Sequence, residues 1–241
     1  MIIYGINPVL EALRAGRVTE VRVGDRSGER MRAVLALAAE RRVRVRQVDS
    51  DALARDARGG VHQGVVAEVE ASTDRSVEDL VREASGVPLL VVLDGVEDPH
   101  NLGAILRTSD AAGVDGVIIQ SRRAAALGGA AAKASAGAVA HVRIAEVVNI
   151  ARAISELKEL GVWTVGLAGD GDRPYETVDL SLPTAIVLGG EGEGLRRLVR
   201  ERCDLTASIP MLGHVESLNV SVAAGVVLFE AVRQRRQRRP G

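Results

Sequence analysis

The chain has 241 residues, of which 46% are apolar and 26% charged, enough for one large domain or for a small and a larger one, each with its own core. This composition excludes a disordered chain. The 31 basic and 32 acidic side chains give a formal net charge of −1, so total charge does not indicate a nucleic-acid partner. The basic residues are nevertheless clustered, with seven against two acidic ones between residues 26 and 48 and five arginines within 233–239.

The sequence has a single cysteine, Cys203, which excludes an internal disulfide bond and a cysteine-based zinc site within one chain. Neither His62 nor His100 has a second ligand at metal-binding spacing, so no metal site is predicted. No apolar run reaches the ~18 residues needed to span a bilayer, and residues 2–5 do not follow the pattern of a signal peptide. We therefore expect a cytoplasmic protein without a membrane partner.

The first seventy residues alternate between helical and strand patterns. Asn7 followed by Pro8 predicts a helix capped by Asn7, because proline in the first turn loses only an amide that has no partner there. Apolar residues recur at helical spacing in 31–38. The predicted strands lie at 20–23, 43–48 and 64–69. These elements predict a small α/β domain over 1–71, followed by a linker at 72–86.

From residue 88 onward the pattern changes to strand, glycine-containing turn and helix. Residues 89–93 form a continuous apolar run, which is typical of a strand buried on both faces. Further strands are predicted at 116–120, 142–144, 162–167, 185–188 and 206–209. Helices are predicted at 102–112, 147–160, 195–202 and 218–236. Strands alternating with helices predict an α/β domain over 87–241, with a mostly parallel sheet covered on both faces.

Three loops that follow predicted strands collect polar residues, where open parallel sheets usually bind ligands. The first loop contains Asn101 and leads to Arg107; the alternative for Asn101 is a helix cap without further function. The second, 188–195, has four glycines and two glutamates. It lacks the spacing of a dinucleotide-binding loop, so a neutral or cationic ligand suits it better, and a turn without a ligand is the alternative.

The third loop, 209–221, runs into a helix that is apolar nearly all round, which must be covered by its own domain or by a partner subunit. Ser217, Asn219 and Ser221 at the start of this helix are either caps or site residues. A serine-hydrolase site with His214 is disfavoured, because the Gly-x-Ser-x-Gly elbow is absent.

Together the three loops resemble the signature motifs of the SpoU/TrmH-type RNA 2′-O-ribose methyltransferases. The motifs are Asn101-Leu102-Gly103 with Arg107, then 188–194, then 209–211 continuing through 217–221. The resemblance extends to 133–138, 162–169, 4–9 and 62–65, so that it covers nearly the whole chain. Within the family, the sequence is most similar to the bacterial enzymes that methylate a guanosine 2′-hydroxyl of 23S ribosomal RNA.

The resemblance implies a C-terminal α/β sheet threaded into a trefoil knot, which the residue pattern itself would not predict. It also implies a small N-terminal RNA-binding domain similar to ribosomal protein L30e. The implied cofactor is S-adenosylmethionine and the implied partner is 23S ribosomal RNA. The family works as a homodimer with the cofactor pockets near the subunit contact, which we expect at the apolar helix from residue 218.

The resemblance also implies roles for individual residues. The implied catalytic residues are Asn101, Arg107, Glu191, Ser217 and Asn219. The implied cofactor-binding residues are Leu167, Gly189, Gly192, Ile209, Met211 and Leu218. Family mechanisms let the residue at Arg107 remove the ribose hydroxyl proton, but a guanidinium stays protonated up to a pH above about 12. The alternative role for Arg107 is to clamp the phosphate beside the ribose and to stabilise the developing alkoxide.

RNA binding is expected to depend on charge more than on base stacking, because the chain has only one Trp, two Tyr and one Phe. The candidates for phosphate contacts are Arg41, Arg42, Arg44 and Arg46; a solvated strand edge is the alternative. The favoured function is methylation of 23S ribosomal RNA, with transfer RNA or another ribosomal site as alternative targets. A catalytically inactive ribosome-assembly factor and a small-molecule nucleotide enzyme are the competing functions.

Overall fold

The computed structural model describes residues 1–25, 27–70, 75–121 and 127–238, which form two sheets covered by helices. The first part of the chain contains β1 (Ile2–Tyr4), α1 (Ile6–Arg14), β2 (Val18–Val23), α2 (Glu29–Glu40), β3 (Arg44–Gln47), α3 (Ser50–Asp56) and β4 (Val65–Val69). Its strand order is β1-β4-β2-β3, with β2 and β3 parallel and the other two pairs antiparallel. The arginine-rich β3 is thus an edge strand.

The helix predicted after Asn7 exists as α1, but its expected cap was wrong. Gly5 precedes the helix, and Asn7 is the second helical residue. The amide of Ile6 instead donates a hydrogen bond to Oε1 of Gln63 at 3.0 Å. This partner lies 57 residues away, so the local sequence could not indicate it. The short strand β1 and the helix α3 were not predicted either.

The second sheet is built from the rest of the chain. Its strands are β5 (Leu89–Asp94), β6 (Gly116–Gln120), β7 (Ile144–Val147), β8 (Trp163–Leu167), β9 (Arg173–Pro174), β10 (Thr184–Gly189) and β11 (Leu205–Ser208). The helices around it are α4 (Val77–Arg82), α5 (Pro99–Ala111), α6 (Gly129–Ala134), α7 (Ile150–Glu159), α8 (Arg197–Arg202) and α9 (Val220–Arg238). The strand order is β7-β6-β5-β10-β8-β11-β9, and each neighbouring pair is parallel. The prediction of an α/β fold with a parallel sheet is confirmed.

One predicted strand begins later than expected. The strand expected at 142–144 starts only at Ile144, because the preceding residues form a 3₁₀ turn. The amides of His141 and Val142 both donate to the carbonyl of Ala138, at 2.9 and 3.0 Å. The two-residue strand β9 was not predicted at all. Both differences arise where a turn, rather than the apolar pattern, sets the boundary.

The predicted linker at 72–86 contains the helix α4, which sequence reasoning missed. Ser76 and Asp79 form a reciprocal capping box at its start, and Leu80 is fully buried. This part of the segment therefore packs as part of the second sheet's helical cover. Residues 72–74 of the predicted linker lie outside the described residues, as does residue 71.

The strand β5 is buried on both faces, as its continuous apolar run predicts. Leu89, Val91 and Leu93 belong to a core that also contains apolar residues of the first sheet. Leu90 and Val92 face a second core, formed with α4, α7 and α8. The carboxyl ends of β5, β10, β8 and β11 lie side by side at one edge of the sheet, so the loops that follow them converge there.

Candidate active site

The loops at this edge of the parallel sheet enclose a cavity of about 540 Å³. Its walls come from the end of β8, from residues 189–195 after β10, and from the segment 207–220 after β11. The cavity is lined by all six residues predicted to bind the cofactor: Leu167, Gly189, Gly192, Ile209, Met211 and Leu218. The volume lies within the range of small-molecule sites, about 300–1,000 Å³.

Residues 189–195, here called the glycine loop, adopt a backbone path that side chains would obstruct. A Cβ atom on Gly189 would lie 2.1 Å from the backbone of Gly194. Gly192 and Gly194 have φ angles of 84° and 66°, in the left-handed region that glycine adopts readily. The amide of Gly194 also donates to the carbonyl of Gly190 at 3.1 Å, which closes the turn. The loop therefore presents main-chain groups to the cavity.

Asp94, the last residue of β5, holds both ends of the glycine loop, one through an ion pair with Arg196 and the other through a backbone hydrogen bond. The carboxylate of Asp94 is fully buried and accepts hydrogen bonds from the Arg196 amide at 2.9 Å and from its Nε at 2.6 Å. Arg196 also donates from Nη2 to Gln120 at 2.9 Å. At the other end of the loop, the Gly190 amide donates to the carbonyl of Asp94 at 2.9 Å. Sequence reasoning missed this pair, because residues 102 positions apart give no local signal.

A chain of hydrogen bonds joins the three loops through side-chain amides. Asn101 donates from Nδ2 to the carboxylate of Glu191, and Asn219 donates from Nδ2 to Oδ1 of Asn101 at 3.0 Å. Oδ1 of Asn219 accepts from the amide and the hydroxyl of Ser221. We call these four residues the amide chain. The alternative that Asn101 is only a helix cap was wrong, because Asp98 caps α5.

The other predicted site residues lie in two places. Ser217 lines the cavity, whereas Arg107 is exposed on α5 and is not among the cavity-lining residues. The predicted RNA-binding residues at the end of α2 and on β3 are all exposed: Arg41, Arg42, Arg44 and Arg46. The structure therefore brings four of the five predicted catalytic residues to the cavity or to the amide chain and leaves Arg107 outside.

The described residues that line the cavity give it an acidic character. The charged ones are Asp170, Glu191, Glu193, Glu216 and Arg200. Arg200 donates to both carboxylate oxygens of Asp170 at 2.9 Å, which holds the pKa of Asp170 below its ordinary value. The charges of Arg200 and Asp170 balance each other, which leaves the three glutamates as the net charge of the cavity wall. The electrostatics therefore favour a cationic over an anionic ligand.

The described residues provide no reactive thiolate, no metal-ligand cluster and no membrane-spanning helix. Burial raises the pKa of the Cys203 thiol to about 12, which keeps the thiol protonated near neutral pH. In the described parts of the chain, no three His, Cys, Asp or Glu side chains are grouped as metal ligands would be. Among the described helices, none combines the length and the apolar character needed to cross a bilayer.

Comparisons with known proteins agree with this geometry. A family model described as the SpoU rRNA Methylase family matches residues 88–229, and one described as RNA 2′-O ribose methyltransferase substrate binding matches residues 2–75. The 23S rRNA (guanosine-2′-O-)-methyltransferase RlmB of Pseudomonas aeruginosa is 46% identical over 239 residues, which are 97% of this chain and 96% of that protein. The protein of the same name from Burkholderia sp. is 47% identical over 241 residues, covering 98% of each.

A solved structure gives the same result. The crystal structure of the SpoU methyltransferase AviRb from Streptomyces viridochromogenes, in complex with the cofactor AdoMet, superposes with a TM-score of 0.82 and 27% sequence identity. The superposition covers 98% of this chain and 91% of that one. Because one family model spans more than half of the sequence and named relatives align over nearly its full length, the chain belongs to the SpoU rRNA methylase family.

Proposed function

We propose that this chain transfers the methyl group of S-adenosylmethionine to the ribose 2′-hydroxyl of a guanosine in 23S ribosomal RNA. The observation that carries this proposal is the cavity in which the glycine loop, the segment 207–220 and the amide chain meet. The relatives named above, which act on 23S rRNA, support the choice of target. The family model for substrate binding at residues 2–75 supports an RNA partner.

The residues of the cavity fit S-adenosylmethionine. Leu167, Ile209 and Leu218 offer apolar contacts, and the glycine loop offers main-chain donors and acceptors for the edge of an adenine ring. The acidic wall suits a sulfonium cation. When bound, the cofactor supplies a methyl group that a ribose oxygen can attack. Gly189, Gly192 and Met211 complete the proposed binding set.

Replacing Gly189 by alanine is expected to weaken binding of S-adenosylmethionine by at least about tenfold, since the added Cβ would lie 2.1 Å from Gly194 and displace the glycine loop. Isothermal titration calorimetry measures this affinity. Gly213→Ala is the matched control, because a Cβ there has nothing within 4 Å. Equal affinities of the two variants would contradict the assignment of the glycine loop to the cofactor.

The ribose hydroxyl must also be oriented and lose its proton. Asn101, Asn219 and Ser217 are the proposed orienting groups, because Ser217 and Asn219 line the cavity and Asn101 is hydrogen-bonded to Asn219, so that they offer N–H and O–H donors. Arg107 is proposed to bind the phosphate beside the target ribose and to stabilise the developing alkoxide. The proton then passes to a phosphate oxygen or to water, and the guanidinium keeps its own protons.

The arginines of the first sheet are proposed to bind the phosphate backbone of the RNA. Arg44 and Arg46 lie on an exposed edge strand and form long ion pairs with Glu20, at 3.9 and 3.8 Å. The double variant with Arg44→Glu and Arg46→Glu is expected to bind RNA about tenfold more weakly. The slope of the logarithm of its binding constant against the logarithm of salt concentration should become shallower by about two. Filter binding at several salt concentrations measures both quantities. Arg152→Glu, at an exposed position of α7, is the control; an equal effect there would contradict this site.

The remaining architecture is proposed from the resemblance. We infer a substrate-binding domain at 1–71 with an L30e-like fold, a linker at 72–86 that includes the packed helix α4, and a catalytic domain at 87–241 threaded as a trefoil knot. The insertion of β10 between β5 and β8 and the packing of α9 on α5 support the threading. A cytoplasmic location follows from a ribosomal RNA substrate.

A homodimer is proposed through α9. Its buried residues are Ala224, Val227, Leu228 and Ala231, on one face. Val222 and Phe229 each remain 51% exposed in the single chain, which leaves apolar surface for a partner subunit. Sedimentation equilibrium at micromolar concentration tests this; a monomer would contradict it.

The proposed reaction is tested by transfer of labelled methyl groups from S-adenosylmethionine to ribosomal RNA that lacks the modification, followed by mapping of ribose methylation. A single labelled guanosine in 23S rRNA is the expected result. Label in transfer RNA or at another ribosomal site would change the target but keep the chemistry. Binding without transfer would favour an inactive assembly factor, and transfer only to small nucleotides would overturn the proposal.

A further inference from the structure

The amide chain has two ends whose hydrogen-bonding roles are fixed by chemistry. At one end, the backbone amide of Ser221 can only donate. At the other end, the carboxylate oxygens of Glu191 accept. Asn219 and Asn101, which lie between them, must therefore turn their oxygens toward Ser221 and their nitrogens toward Glu191. Each side-chain amide could adopt two orientations by itself, but within the chain of hydrogen bonds only one of them is permitted.

We propose that Ser221 is a positioning residue for the methyl transfer proposed above, on which this inference rests. Its hydroxyl donates to Oδ1 of Asn219 at 2.6 Å, and its backbone amide donates to the same oxygen at 2.9 Å. Turning the Asn219 amide over would place one of its N–H groups against the Ser221 backbone N–H, which cannot accept, and would remove the oxygen to which the Ser221 hydroxyl now donates, and the loss of these bonds is costly. Ser221 thereby sets the direction in which Asn219 donates to Asn101.

This direction decides what the chain offers to a substrate. Each side-chain amide nitrogen carries two N–H groups and uses one of them within the chain. Asn101 and Asn219 therefore each retain one N–H for an oxygen of the ribose or of its phosphate. In the reverse orientation these positions would present carbonyl oxygens, which repel a developing alkoxide. Ser221 is not among the cavity-lining residues, so it acts through Asn219.

The variant Ser221→Ala tests the proposal in the full-length protein. Its kcat for methyl transfer to ribosomal RNA is expected to fall about five- to tenfold, the loss expected for one neutral hydrogen bond. The KM for RNA and the calorimetric affinity for S-adenosylmethionine are expected to stay at their wild-type values. Ser221→Thr retains a hydroxyl and is expected to restore most of the kcat.

A second variant separates positioning from folding. Asn219→Asp keeps an oxygen that caps α9, because aspartate and asparagine are equally good caps, but it places an acceptor against Oδ1 of Asn101. We expect wild-type thermal stability and a larger fall in kcat than for Ser221→Ala. In an Asn219→Ala background, Ser221→Ala is expected to cause no further loss, since its target is gone.

Three outcomes would overturn the positioning role. They are a wild-type kcat in Ser221→Ala, a loss in Ser221→Thr as large as in Ser221→Ala, and additive losses in the double variant. Failure of the proposed function has a different signature, because wild-type protein would then transfer no methyl group to ribosomal RNA. The wild-type measurement therefore distinguishes the two failures.

Discussion

Replacing Arg107 by alanine is expected to lower kcat for methyl transfer by about 100- to 1,000-fold, the loss typical when one group that stabilises a developing oxyanion is removed. The affinity for S-adenosylmethionine is expected to stay unchanged, because Arg107 is exposed on α5 and does not line the cavity. Single-turnover kinetics and calorimetry measure the two quantities. A parallel loss of cofactor affinity would contradict a role confined to the RNA side of the reaction.

The variant Arg107→Lys distinguishes the two roles considered for this residue. A phosphate clamp needs a positive charge, so lysine is expected to retain part of the activity. A base in the strict sense would instead make the rate depend on the pKa of the side chain, which differs between lysine and arginine. Similar pH-rate profiles for the lysine variant and the wild type would support the clamp. Arg152→Ala, at an exposed position of α7, controls for the loss of a surface charge.

Replacing Arg196 by alanine is expected to destabilise the protein by about 3 kcal/mol, because it leaves the fully buried carboxylate of Asp94 without its charged partner. The lower end of the usual range applies, since the Arg196 side chain is itself 38% exposed. We also expect weaker binding of S-adenosylmethionine, because Arg196 holds one end of the glycine loop. Urea denaturation and calorimetry check the two effects.

Two variants control this second experiment. Arg197→Ala removes the neighbouring arginine, whose side chain is 88% exposed and, among the described residues, pairs only with Glu201, so its effect should stay within about 0.5 kcal/mol. Combining Arg196→Ala with Asp94→Asn removes the buried charge as well and is expected to recover part of the stability. Equally small losses of stability in Arg196→Ala and Arg197→Ala would show that the ion pair does not hold the glycine loop.

Periodicity predicted much of this fold because many elements carry their signal locally. The apolar run at 89–93 indicated a strand buried on both faces, and β5 is such a strand. The start of α1 could not be predicted in the same way, since its first amide is satisfied by Gln63 from a distant loop. The helix α4 was hidden by the expectation of a linker, although Ser76 and Asp79 form a recognisable capping box.

The residues of the candidate site were predicted through the resemblance to the family's sequence motifs. The cavity-lining set came from motif positions at the ends of β8, β10 and β11. The buried pair of Asp94 and Arg196 and the pair of Asp170 and Arg200 join residues far apart in sequence, so no motif pointed to them. The proposed threading of the chain could not be predicted from periodicity either, because a knot depends on the order in which segments pass one another.

The first core contains apolar residues of both sheets, such as Ile3 and Val21 from the first and Leu89 and Val91 from the second. The part that matches the substrate-binding family and the part that carries the cavity therefore share one hydrophobic core and are not joined by a linker alone. Exchanging the first seventy residues for another RNA-recognition domain would expose apolar residues of the second part that the first part now buries. A change of RNA target is therefore expected to require substitutions within the present first domain, because replacing that domain would expose the apolar residues of the shared core.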